Sequence, residues 1–202
     1  MRKFKRAESP DFLTKKWHEW GNSYKENKTK NSGFTFQWPN HESIKINVIL
    51  KPLLAQLTGN HCSYCDDYPL KTKADSIDHF KPKSRSEFFE LVCQWENLFY
   101  CCTNCQNSKK EKFHVHLLRA DRVDFSFSKY FIYDYTNHKI EPNPFAEKIE
   151  QESATISIEI FGLNDPGHVS SRRISLNRYN SQPKDKSIFI DDFPYRYILE
   201  NI

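Results

Sequence analysis

Glycine is scarce, with five residues in 202. That leaves no Gly-rich phosphate-binding loop and no propeller-like repeat. No apolar run approaches the roughly 20 residues a membrane helix needs. The patterns G-x-x-x-x-G-K-[ST], H-E-x-x-H and G-x-S-x-G are all absent, which excludes a P-loop ATPase, a zincin and a serine hydrolase. No internal repeat is visible. The opening Met1-Arg2-Lys3-Phe4-Lys5-Arg6 is basic but leads into Ala7-Glu8-Ser9-Pro10-Asp11 without the apolar stretch of a signal peptide, so a cytoplasmic protein is expected.

What is present argues for an ordered chain. At 24.1 kDa it has the size of one domain with elaborations. Hydrophobic residues make up 38% and the mean hydropathy is −0.78, but 16 Phe, 10 Tyr and 4 Trp are too many large apolar groups for disorder. The net charge of +4 is unevenly spread. Residues 1–60 carry 11 Lys/Arg against 5 Asp/Glu, while residues 121–202 carry 10 against 13. A basic first third suits a phosphate backbone and an acidic last third suits a protein partner, beside the plain alternative of solubilising charge.

Six cysteines in a reducing compartment are not expected to pair as disulfides. Four form two C-x-x-C pairs, Cys62-Ser63-Tyr64-Cys65 and Cys102-Thr103-Asn104-Cys105. One such pair is compatible with redox chemistry. Two read as a closed structural Zn²⁺ site, because each turn presents two thiolates to one tetrahedral ion. Cys93 and Cys101 are left as core thiols. Between the pairs lies Ser76-Ile77-Asp78-His79-Phe80-Lys81-Pro82-Lys83-Ser84, followed by Trp95-Glu96-Asn97-Leu98. Asp78 offers a hard oxygen ligand for Mg²⁺. On a strand His79 points to the opposite face unless a bulge intervenes.

The order C-x-x-C, D-H-x-x-P, W-x-N-L, C-x-x-C with a following Lys resembles zinc-stapled HNH endonucleases of the ββα-metal type. Within that family the chain is most similar to the HNH nuclease subunit of Septu and retron-linked antiphage systems. That likeness rests on Met1 to Lys5, His61 to Cys65, Ile77 to Ser84, and Ile160-Phe161-Gly162-Leu163-Asn164 leading to Arg172-Arg173. The resemblance implies an α+β fold, with the ββα core stapled by the four cysteines and flanked by helical N-terminal and mixed C-terminal elaborations. It divides the chain into 1–60, 61–115 and 116–202. It implies that His79 is the general base, that Asp78 binds a catalytic Mg²⁺ or Mn²⁺, and that Asn97 orients the loop carrying His79. The family's final His or Asn falls here on Gln106 or its neighbour Asn107, and both remain candidates for the second ligand. It further implies a nucleic-acid substrate, a partner ATPase of the PtuA type and, in a retron, a reverse transcriptase with its RNA–DNA product. DNA and RNA cleavage, and a catalytically inactive adaptor, stay open.

Lys81, Lys83, Arg85, Lys109 and Lys110, with Lys71, Lys73 and Lys112, flank this segment and are candidate phosphate contacts. His114-Val115-His116 places two rings on one face of an extended segment but offers no third ligand. Elsewhere a helix is expected from Lys15, then a polar stretch over 21–33. A helix over 45–57 should be kinked or split by Pro52. A hairpin is expected from Phe125–Tyr135 with Ile156–Phe161, then a turn at Asp165-Pro166-Gly167 and a short basic helix over 170–179. The aromatic tail from Asp191 is expected either to pack on the core or to dock on a partner.

Overall fold

The computed structural model describes residues 1–69, 75–183 and 187–200, so Lys71 and Lys73 lie outside the described residues. The chain is α+β, with seven α-helices and three two-stranded antiparallel sheets among the described residues. Helix α1 (Asp11–Lys30) is followed by an extended segment, the small pair β1 (Asn40–His41) and β2 (Ile44–Lys45), and helix α2 (Ile46–Leu57). The central unit is β3 (Asp75–His79), β4 (Leu98–Cys102) and helix α3 (Thr103–Lys109). Its register pairs Asp75 with Cys102 and His79 with Leu98. All five residues of β4 are buried, because α2 covers one face of this hairpin and α3 the other.

Helix α1 runs straight through the stretch expected to be polar loop. Gly21 is the reason it can pack. A Cβ there would lie 2.0 Å from the carbonyl oxygen of Glu90, so only glycine lets α1 lie against the 3₁₀ segment Ser86–Leu91. Helix α2 continues through Pro52 as one element, burying Ile46, Leu50 and Leu54, so the expected split does not occur.

The C-terminal part differs from expectation in a second place. A hairpin exists, but it joins β5 (Phe131–Asp134) to β6 (Lys139–Pro142), preceded by the single turn α4 (Phe127–Tyr130). Ile156–Phe161 belongs instead to helix α5 (Lys148–Phe161). The alternation of Ile156, Ile158 and Ile160 is short. Ser153, Ser157 and Phe161, four apart and all buried, set the helical face. A capping box of Glu147 and Glu150 starts this helix, and left-handed Gly162 ends it. Asp165-Pro166-Gly167 is not a free turn: Pro166 opens helix α6 (Pro166–Asn180).

The aromatic tail packs on the core. Phe193, Tyr195 and Tyr197 are buried, and helix α7 (Arg196–Leu199) is tied to the first cysteine pair by a bidentate ion pair. Arg196 Nη2 lies 2.7 Å from Asp66 Oδ1, and its Nε and backbone N–H both reach Asp66 Oδ2. At the other end Arg6 pairs with Asp121 at 2.6 Å and donates to the carbonyls of Trp95 and Leu98. Both termini are therefore pinned around the central hairpin and its cysteines. Among the described residues no helix is long and apolar enough to cross a membrane.

Candidate nuclease centre and its cysteine staple

The ligand atoms of Cys62, Cys65, Cys102 and Cys105 lie within 4.8 Å of one another, and all four side chains are buried. A tetrahedron of Zn–S bonds of about 2.3 Å has edges of about 3.8 Å. The Cys65–Cys102 sulfur separation is 3.7 Å. Backbone N–H groups aim at two of the sulfurs, Cys102 N–H at Cys62 Sγ and Cys105 N–H at Cys102 Sγ, each at 3.4 Å. Without an ion the four thiols cannot all ionise. Burial drives Cys65 and Cys105 up, while hydrogen bonds from Cys105, Cys62 and Cys65 pull Cys102 down. A soft divalent cation resolves that conflict, so the donor set fits a metal such as zinc. His168, buried on α6, brings Nε2 to 3.7 Å from Cys105 Sγ.

The staple grips the hairpin at its Asp75–Cys102 end, and Tyr64 inside the first cysteine pair reaches along β3 to Asp78, next to His79. Both are 6% exposed, and the regular strand turns them to opposite faces. Asp78 faces α3. Its Oδ2 accepts from the hydroxyl of Tyr64, inside the first cysteine pair, at 2.8 Å, and meets the ammonium of Lys109 at 3.0 Å. Lys109 is wholly buried and also donates to the His79 carbonyl at 2.7 Å. Burial raises the Asp78 carboxyl pKa, and Lys109 pulls it partly back.

On the other face, His79 Nε2 lies 2.9 Å from the Val92 carbonyl. A carbonyl only accepts, so Nε2 carries the proton and Nδ1 is the free basic atom. The ring stacks on Trp38 at 5.4 Å and 20°, with Phe36 edge-on at 5.5 Å. Burial under these rings lowers the His79 pKa to about 3. Asn97 clamps the loop that follows. Its Oδ1 accepts from Lys81 N–H at 2.7 Å, its Nδ2 donates to the Lys81 and Leu91 carbonyls, and its own carbonyl takes Phe80 N–H.

The remaining candidates separate. Gln106 Oε1 accepts from the Ser76 hydroxyl at 2.9 Å. Asn107 is exposed, in a cleft with Asn104, Asp165 and His168. Asp78 Oδ2 and Gln106 Oε1 thus each already accept from a protein donor, while Asn107 stands at the surface. Lys110 and Lys83 are exposed, and Lys81 and Arg85 are half-buried to exposed at the surface. Lys109 is corrected: a fully buried ammonium bound to Asp78 and the His79 carbonyl is an internal counterion and cannot reach a phosphate in solvent. His114 and His116 stand with ring centroids 5.3 Å apart, and no third ligand joins them among the described residues.

Sequence reasoning missed Tyr64, Lys109 as counterion, and the aromatic cover Phe36/Trp38. The alternation of Phe34, Phe36 and Trp38 was the available signal for the cover, and the spacing of Lys109 from Cys105 and Gln106 on one helix face was the signal for the counterion.

No family model matches the chain. It is similar to the Septu protein PtuB of Bacillus mycoides (strain KBAB4), 27% identical over 96 residues, which covers 42% of this chain and 30% of that relative's length. It is also similar to the candidate HNH endonuclease of retron Vc95 from Vibrio cholerae serotype O1 biovar El Tor, 25% identical over 194 residues, 87% of this chain and 91% of that one. The chain is thus similar, at modest identity, to a Septu PtuB protein and to a retron HNH endonuclease.

Proposed function

We propose that the chain is the endonuclease subunit of an antiphage complex, hydrolysing nucleic-acid phosphodiester bonds at His79. The observation that carries this reading is the oriented histidine at the end of a cysteine-stapled ββα element. The Val92 carbonyl holds Nε2–H and leaves Nδ1 to accept a proton from the attacking water. Asn97 fixes the backbone immediately after it through three hydrogen bonds and ties it to the Leu91 carbonyl by a fourth, so the loop cannot drift from the strand. Zinc, held by Cys62, Cys65, Cys102 and Cys105, supplies rigidity and no open coordination position.

Two contacts must change for His79 to work. Trp38 and Phe36 cover its ring, and Lys109 neutralises Asp78. An unrestrained nuclease endangers its host, and a covered base is a chain at rest. The names of the two relatives support a partner ATPase of the PtuA type, or a reverse transcriptase with its RNA–DNA product, as the trigger of release. The requirement for Mg²⁺ or Mn²⁺ belongs to the released form.

The test is cleavage of plasmid DNA and total tRNA by the purified chain, with and without the partner ATPase, in Mg²⁺ or EDTA, beside His79→Ala. Cutting of either substrate that vanishes in the variant upholds the reading and identifies the substrate. Equal inertness of both proteins under every condition, trigger included, makes the chain a zinc-stapled adaptor.

A further inference from the structure

Residues 31–39 form an extended strap between α1 and β1. Phe34, Phe36 and Trp38 turn inward, half-buried, while Thr35 and Gln37 are exposed. The strap does not close fully on α1. Between them lies a cleft of about 110 Å³, walled by Trp20, Tyr24, Phe34 and Phe36, with Asn27 and Gln37 among its lining. The rings around it meet edge-on or tilted: Tyr24 and Phe36 at 5.4 Å and 89°, Tyr24 and Phe34 at 6.2 Å and 46°. Trp20 is half-buried against the core and lends its indole to the wall of this cleft.

We propose that this cleft takes one unstacked nucleobase of the substrate strand. The inference rests on the nuclease reading and adds to it the form of the substrate, a single-stranded or splayed segment. Three observations carry it. The space admits one planar heterocycle between aromatic walls, the arrangement by which proteins hold bases without regard to sequence. Gln37 is an exposed amide, the side-chain type that pairs with base edges, and Asn27 beside it is exposed too, with Nδ2 donating to the Ser23 carbonyl at 2.8 Å. On α1, Lys16, Trp20, Tyr24, Asn27 and Lys30 follow the three-to-four spacing of one helix face, which puts an exposed lysine beyond each end of the cleft. Lys16 is paired with Glu19, but both are about half exposed or more, and such a pair yields readily to a phosphate.

The cleft and the candidate active site share one ring. Phe36 forms one wall and also lies edge-on to the His79 ring. A nucleobase in the cleft would lie against the Phe36 ring on the side away from His79, while Trp38 keeps its stack on the histidine.

The experiment reads binding in EDTA, with no cleavage. Twelve-residue DNA and RNA strands carrying one 2-aminopurine are titrated with the full-length wild-type chain, Trp20→Leu, Trp20→Phe and Gln37→Ala. We expect 2-aminopurine emission to fall on binding to wild type and Trp20→Phe. Affinity should drop by about 5- to 150-fold in Trp20→Leu and measurably in Gln37→Ala, an exposed position whose change leaves the fold intact. The DNA and RNA arms show which strand is taken. Wild-type affinity in both variants overturns the proposal, as does equal quenching by a blunt duplex. Occupation by N-acetyltryptophanamide with no response to either oligonucleotide would assign the cleft to a peptide and equally overturn it. A chain that binds through the cleft but never cuts keeps the cleft and loses the nuclease; one that cuts with unaltered affinity in Trp20→Leu does the reverse.

Discussion

Replacing Lys109 by Met tests the electrostatics of the candidate centre directly. The ammonium is wholly buried, 3.0 Å from an Asp78 carboxylate whose side chain is 8% exposed, and it also satisfies the His79 carbonyl. Methionine keeps most of the volume but strands Asp78 with a single donor, the Tyr64 hydroxyl. Breaking one side of a buried pair costs about 3–5 kcal/mol. Urea unfolding at pH 7 in the zinc-loaded protein should show a loss of that size. Asp78→Asn combined with Lys109→Met removes both charges. It should cost less than the sum of the single changes by about 0.5–3 kcal/mol, the range for groups in direct contact. The pH dependence supplies a second check. Burial already holds the Asp78 carboxyl above its ordinary value, and Lys109 is the chief influence opposing that. Without Lys109 the folded state binds the proton more tightly still, so the deficit of Lys109→Met should shrink as pH falls from 7 towards 5. A single variant within about 1 kcal/mol of wild type would refute the buried pair, because that is the size of a solvated one.

Elemental analysis should find one zinc per chain, and a strong chelator or Cys102→Ser should lower the thermal midpoint and release the hairpin; a metal-free chain with an unchanged midpoint would sink the staple. His79 has a folded pKa of about 3 against about 6.5 unfolded. Its contribution is therefore complete above pH 6.5 and fades as pH falls towards 3, by about 1.4 kcal/mol per unit. Between pH 7 and 5, wild type should lose about 2 kcal/mol more than His79→Gln in urea unfolding, and Trp38→Ala, which uncovers the ring, should shrink that difference; parallel curves for wild type and His79→Gln would contradict the burial. Gly21→Ala drives a methyl group into the Glu90 carbonyl and should cost about 1–3 kcal/mol of stability; a neutral outcome would mean that α1 is free to shift from Ser86–Leu91.

The two cysteine pairs were legible because metal chemistry fixes both the residue type and the spacing, and the Asp78-His79 pair stood between them in an order few other folds use. The fold class followed from the same signal. Other elements were not legible, and for one reason. Each is defined by what lies opposite it. The stretch after Gly21 reads as polar loop until Glu90 is seen to need the missing Cβ. The alternation at Ile156–Ile160 reads as a strand until Ser153, Ser157 and Phe161 are seen to be the buried face. Lys109 reads as a phosphate contact beside Lys110, yet one step along the helix separates a wholly buried ammonium from a solvated one.

A helix turns about 100° per residue, so Lys109 and Lys110 cannot both face Asp78. The charge that a divalent ion would bring to Asp78 is already supplied from within the chain. On the proposed nuclease reading, an ion that takes Asp78 Oδ2 meets an ammonium that has no water to retreat into, and resting and active forms differ by the position of this buried cation and of an aromatic cover on opposite faces of one strand. An activator that shifts only one of them leaves either a covered base or a neutralised carboxylate. The arrangement requires that release act on β3 as a whole, and Lys109, which touches Asp78 and the His79 carbonyl together, is the group through which the two faces are coupled.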